Sequence, residues 1–178
     1  MIRTLVLGLL ALGLAACGGM KVEDFAGKTP ALTLEGYFAG KSRAWGIFED
    51  RFGRLRRQFV VDIEGSWDAA RQELTLVEDF VYDDGETERR VWIIRKTAPA
   101  SYEGTADGVV GKATGRAAGN AFYWTYLFDL KVGEGTWQVR FDDWMWLQDA
   151  EILINRAEIT KWGFQLGTVS IFFRRLGS

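Results

Sequence analysis

From Arg43 to the C-terminus, apolar and polar residues alternate with a period of two, the pattern of strands that bury one face and wet the other. In Arg57 to Trp67 the set Phe59, Val61, Ile63, Gly65 and Trp67 alternates with Gln58, Asp62 and Glu64. Leu74, Leu76, Phe80 and Tyr82 share the next face, interrupted by Glu78. Asp83-Asp84-Gly85-Glu86 follows as a hairpin signal, since Asp-Gly tolerates the positive φ angles such turns require. In Arg89 to Lys96, Trp92 and Ile94 lie on one face and Val91 and Ile93 on the other. Phe122, Trp124, Tyr126, Phe128 and Leu130 make one apolar face, and Val132-Gly133-Glu134-Gly135 predicts a turn. Trp137, Val139, Phe141, Met145 and Leu147 then alternate with Gln138, Arg140 and Asp142, and two more β segments cover 151–162 and 164–175.

Two stretches depart from that rhythm. Leu32 to Gly40 predicts a short helical or irregular lead-in whose Leu34, Tyr37 and Phe38 pack across one end of the domain. Between Gly104 and Ala121, glycines recur every three to four residues. A strand fits better than a helix, because each glycine would cost a helix about 1 kcal/mol. As a strand, the stretch puts Gly111, Ala113, Gly115, Ala117, Gly119 and Ala121 on one side. Such a face either lets tryptophans pack across it or leaves a cavity. The expected fold is all-β: a single antiparallel up-and-down barrel of eight or nine strands over residues 31–178, closed because closure removes exposed edges.

Ahead of the barrel the pattern changes character. Arg3 is followed by the apolar run Leu5 to Leu14 and then by Ala15-Ala16-Cys17, the order of a bacterial lipobox at the end of a signal peptide. The run is too short for a comfortable transmembrane helix. The expected organisation is therefore a signal peptide at 1–16, a lipidated N-terminus and tether at 17–30, and the barrel. Cys17 is the only cysteine, and lipidation accounts for its isolation. A diacylglycerol with a further acyl chain such as palmitate meets the need for more than one hydrophobic anchor. Gly18 and Gly19, with no aspartate after the cysteine, favour the periplasmic face of the outer membrane.

Composition narrows the chemistry. A net charge of −2 and the lack of a basic run argue against nucleic acid. The chain has no histidine, which excludes Ser-His-Asp and Cys-His nucleophile systems and His-based metal sites. No phosphate-binding or dinucleotide fingerprint and no EF-hand spacing is present, so neither a metal nor a cofactor is expected. Adjacent Asp142 and Asp143 point to opposite faces of a strand and cannot act as a catalytic pair. The expectation is a non-enzyme with no catalytic residues.

Lys21-Val22-Glu23-Asp24-Phe25, Ala44-Trp45-Gly46, Glu78-Asp79-Phe80, Tyr82-Asp83-Asp84-Gly85, Phe141-Asp142-Asp143-Trp144 and Leu153-Ile154-Asn155-Arg156 together resemble an uncharacterised family of proteobacterial lipoproteins catalogued as a domain of unknown function. The resemblance implies the anchor and a compact β domain. It also implies a connection to lipids, through members encoded near enzymes that modify membrane fatty acids. In architecture the chain is similar to lipocalins, though Trp45 precedes Gly46 where the lipocalin pattern places the glycine first.

Polar residues within apolar strands are the candidate ligand contacts, because a charge facing a barrel interior is costly unless it is paired. Arg156 and Asn155 would hold a carboxylate or phosphate, and Trp144 and Trp146 would line the apolar body, with Asp142, Glu78, Tyr82 and Trp124 completing the set. The plainer alternative is a structural ion pair of Asp142 or Asp143 with Arg156. The functional expectation is a membrane-anchored barrel that carries or sequesters a fatty acid or similar amphipathic lipid. The alternative is a barrel with a filled core that docks a partner protein.

Overall fold

The computed structural model describes residues 19–177. The expected signal segment and Cys17 lie outside the described residues. Ten antiparallel strands run β1 (Gly40–Asp50), β2 (Leu55–Asp68), β3 (Glu73–Tyr82), β4 (Thr87–Ala98), β5 (Ser101–Thr105), β6 (Val109–Ala118), β7 (Ala121–Val132), β8 (Gly135–Leu147), β9 (Ile152–Lys161) and β10 (Phe164–Arg175). Each strand pairs with its sequence neighbour, and β1 pairs with β10 to close the barrel. The strand pairing and the core cluster lie within 19–177.

Ten strands replace the expected eight or nine because the glycine-rich stretch resolves differently. Its start belongs to a separate short strand, β5, which turns tightly at Asp107 and Gly108 into β6. Gly111 sits at φ +74 where the register of β6 against β7 shifts, so the run of small residues does not hold one face along its whole length. Where it does, it makes room for tryptophan: a Cβ on Gly115 would lie 2.5 Å from the Trp124 Cβ.

One end of the barrel is plugged. The helix α1 (Leu34–Phe38) starts at Thr33, whose hydroxyl accepts a hydrogen bond from the Gly36 N–H. Leu34, Tyr37 and Phe38 are all buried in the core cluster. Phe38 meets Phe173 edge-on at 5.6 Å, and its carbonyl oxygen lies only 1.9 Å from where a Gly65 Cβ would stand. Glu35 ties the helix down by accepting from the Lys96 Nζ at 2.6 Å and the Tyr102 hydroxyl at 2.9 Å.

Part of the predicted tether is docked on the barrel. A turn of 3₁₀ helix at Val22–Phe25 buries Val22. Phe25 packs on Trp144 and Trp146, with ring centroids 6.1 and 6.5 Å away.

Candidate functional site

The strand period decides what the lumen contains. In β3 the residues that share a face with Leu74, Leu76 and Phe80 include Glu78 and Tyr82. In β4 the face of Trp92 and Ile94 also carries Glu88 and Arg90, and in β8 the face of Val139 and Met145 carries Asp143. Together with aromatic residues of β2, β7 and β8, these enclose an interior cavity of about 380 Å³, lined among others by Glu78, Arg90, Trp92, Trp124, Tyr126 and Asp143. That volume falls within the range of about 300–1,000 Å³ usual for small-molecule sites.

The cavity wall is largely aromatic. Trp92 and Trp124 lie 4.7 Å apart between ring centroids, and Tyr126 stacks on Phe141 at 5.0 Å and 4°. Two carboxyl groups break this lining from opposite sides of the barrel. Asp143, 7% exposed, accepts from the Trp124 Nε1–H at 3.2 Å and from the Nδ2 of Asn155, itself 2% exposed. Burial nevertheless outweighs those bonds and pushes its pKa up to about 6. Glu78 is placed directly across from Arg90 in the β3–β4 register. It is partly accessible and lines the cavity. Burial pushes its carboxyl up to about 7, with Arg90 pulling it back and the negative charges of Glu88 and Asp143 adding to the rise. The Tyr126 phenol, enclosed near the same acids, is raised well above its ordinary value, chiefly by burial.

Nearer the mouth, opposite the helix, Arg90 donates to Glu88 at 2.5 Å and lies 5.0 Å above the Phe80 ring, while its Nε–H is buried without an acceptor among the described residues. The Tyr82 hydroxyl donates to Glu88 at 2.8 Å, and Arg57 lies 3.6 Å over the Tyr82 ring. Thus the cavity presents two carboxyls and a phenol, and of its three basic residues Arg90 is held by Glu88 and Arg57 by Asp84 and Glu86, while Lys131 is exposed.

The candidates read from the sequence divide between two faces. Glu78, Tyr82, Trp124 and Asn155 line the cavity. Arg156, Asp142, Trp144 and Trp146 do not reach it, which corrects the expectation that they share an interior site with Asn155; Arg156 and Trp146 border a groove on the outer face together with Tyr82 and Asn155. Arg156 is the neighbour of inward-facing Asn155 and therefore points outward, where it pairs with Glu158 at 3.2 Å. Asp142 lies outside, bound by Arg140 at 2.9 Å and by the Tyr123 hydroxyl. The expected Asp–Arg156 ion pair is therefore replaced by these two contacts. Trp144 and Trp146 stack on each other on the outer face, 5.9 Å apart, beneath Phe25. Asp143, Arg90, Glu88, Trp92 and Tyr126 were not among the predicted contacts. Their signal was parity: Asp143 falls in step with Phe141 and Met145, and Arg90 in step with Trp92.

The geometry defines a closed antiparallel barrel with one plugged end and a polar-floored internal cavity. Residues 11–175 match the family described as Protein of unknown function (DUF3833), and the chain belongs to that family. Among curated proteins the chain has no match. Solved structures share the barrel. An S-type phycobiliprotein lyase from Guillardia theta is 12% identical over 83% of this chain and 94% of its own, with a TM-score of 0.61. The protein Rv2717c from M. tuberculosis is 13% identical over 84% of this chain and 99% of its own, also at 0.61. A protein of unknown function from the DUF3598 family of Nostoc punctiforme is 11% identical and reaches 0.52, over 84% of this chain and 51% of its own. At such identities the likeness is one of fold. It still corrects the expectation of a non-enzyme, which rested on the lack of histidine and of a catalytic carboxylate pair: one solved barrel of this fold is named a phycobiliprotein lyase.

Proposed function

We propose that the barrel binds an amphipathic small molecule in its interior, with the apolar body against the aromatic wall and the polar group at the floor. The observation that carries this reading is the pair of buried carboxyls, Glu78 and Asp143, facing one cavity from opposite walls. Asp143 is held only by the neutral Trp124 and Asn155, and Glu78 shares Arg90 with Glu88; burying carboxyls on those terms is costly, and is reasonable where something else uses them. Their chemistry favours a head group that donates hydrogen bonds, such as a hydroxyl, amide or amine. A fatty acid carboxylate would meet the two acids, two arginines that are already paired, and Lys131, which is exposed. Native mass spectrometry of residues 19–178 purified from a bacterial envelope tests the reading by identifying what the cavity retains. Quenching of tryptophan emission by a long-chain alcohol and by the fatty acid of equal length then tests the head-group preference. The alcohol is expected to bind more tightly at pH 8, with the gap narrowing at pH 5 as the acids protonate. No uptake of either compound would sink the proposal.

A second reading rests on Glu78 itself. A cavity-lining carboxyl with a pKa near neutrality is suited to acid–base chemistry, and incubation of a retained ligand with the barrel, followed by mass analysis, would detect its conversion. For the N-terminus we propose lipidation at Cys17 and attachment to the periplasmic face of the outer membrane. This rests on the lipobox pattern, and loss of membrane fractionation in a Cys17→Ala chain tests it.

A further inference from the structure

The mouth of the barrel carries large apolar side chains in full contact with water. Trp162 is 88% exposed, Phe164 71% and Phe52 69%. They occupy two adjacent hairpin tips, β9–β10 and β1–β2, joined where the Arg51 N–H donates to the Leu166 carbonyl at 2.9 Å. Neither tip needs these residues for its turn. The β9–β10 loop has only two residues, Trp162 and Gly163, with φ of +52 and +81. Such a loop favours Asn, Asp or Gly at its first position, yet a tryptophan is held there in the left-handed region with its ring in solvent.

Two of these three rings have a basic group beside them. Arg51 lies 4.8 Å over Phe52, and Lys161 lies 4.8 Å over Trp162. Lys161 is also 4.7 Å from Trp137 at the adjoining β7–β8 tip. Along 49–56, 131–137 and 161–164 there are five basic residues (Arg51, Arg54, Arg56, Lys131, Lys161) against three acids (Glu49, Asp50, Glu134). One of those acids, Asp50, already accepts from the Phe52 and Arg54 backbone N–H groups. The β3–β4 tip, by contrast, carries Asp83, Asp84 and Glu86, the latter two paired with Arg57, and no large apolar side chain. The mouth is therefore two-sided, aromatic and basic on one arc and acidic on the other.

We propose that the aromatic and basic arc of the mouth docks on an anionic phospholipid surface, which places the cavity opening against the bilayer. Tryptophan and phenylalanine settle at the headgroup level, and arginine and lysine meet the phosphates. The acidic tip is kept away from the same surface, which fixes the tilt. This inference goes beyond the cavity reading and does not depend on it.

Flotation of residues 19–178 with vesicles of phosphatidylethanolamine and phosphatidylglycerol, against vesicles of phosphatidylcholine alone, provides the test. The barrel is expected to float with the anionic vesicles and to be released by salt. Trp162→Ser with Phe164→Ser is expected to reduce that binding by about tenfold or more. Arg51→Ala and Arg54→Ala are each expected to cost about fivefold. These side chains are exposed, so the melting temperature serves as a control for folding. The same variants are expected to keep uptake of the long-chain alcohol from solution, which separates a failed docking surface from a failed cavity. Absence of flotation with anionic vesicles, or equal flotation of the double aromatic variant, would overturn the proposal and leave the arc to a protein partner.

Discussion

The two ends of this barrel are built on opposite principles. At the α1 end Leu34, Tyr37, Phe38 and Phe173 are buried together, and the one ion pair that ties the helix down, Glu35–Lys96, is shielded and supported by Tyr102. At the mouth, aromatic rings face water and the turn itself is conformationally demanding at Trp162. Native proteins place large apolar groups in solvent where another surface covers them. The comparison teaches that apolar side chains close one end of the barrel and stand in water at the other, with the carboxyl-lined cavity between them.

Substitutions at the plug should have the largest effect on stability. Phe38→Ala removes a ring packed edge-on against both Tyr37 and Phe173, and a loss of about 3–4 kcal/mol in chemical denaturation is expected. If the loss is below 1 kcal/mol, α1 is an accessory and the contrast between the ends collapses.

The cavity floor should follow with an effect of opposite sign. An unfolded glutamate ionises near 4.5, whereas burial holds Glu78 up to about 7. Between those values the unfolded chain has already released a proton that the folded chain keeps. Stability therefore falls as the pH rises through this window, and the loss is complete above about pH 7. Glu78→Gln should flatten that slope and stabilise the barrel at pH 8 by about 1–3 kcal/mol, which denaturation at pH 5 and pH 8 measures directly. A destabilised variant at pH 8 would mean that the Arg90 charge depends on Glu78 more than on Glu88.

Glu35 at the plug should titrate in the other direction. Its carboxyl lies below the usual value: burial alone would raise it, but bonds from Lys96, its own backbone N–H and Tyr102 prevail. It contributes stability above pH 4.5 that is lost as the pH falls through its lowered value. Glu35→Gln should cost about 1–2 kcal/mol at pH 7 and less in acid. The smallest effect belongs to the rim, where Trp162→Ser should change stability by no more than about 0.5 kcal/mol. A large loss there would show that the ring packs on the barrel and does not await a partner surface.

Much of the fold is legible in the chain because a strand's side chains alternate rigidly. The Phe122 to Leu130 face, the Trp92 and Ile94 face and the Asp83–Glu86 turn follow from a period of two and from turn chemistry. The short α1 follows from a cluster of three apolar residues before the first strand. Site residues were legible only where one face was clearly the apolar one. In β8, Val139, Phe141 and Met145 already set the parity that carries Asp143 inward. In β9, Ile152, Leu153 and Ile154 are apolar on both faces, so Arg156 and Asn155 read as equals until the barrel turned them apart.

The chain by itself determined an all-β domain of consecutive hairpins with an aromatic interior, since those depend on local alternation and composition. Tertiary structure alone decided the pairing of β1 with β10, the survival of a cavity in the lumen, and the raised pKa values of Glu78 and Asp143. Each depends on which strands face one another across the lumen. Burial and charge proximity are properties of the closed barrel, and residues 65 positions apart in sequence meet only there.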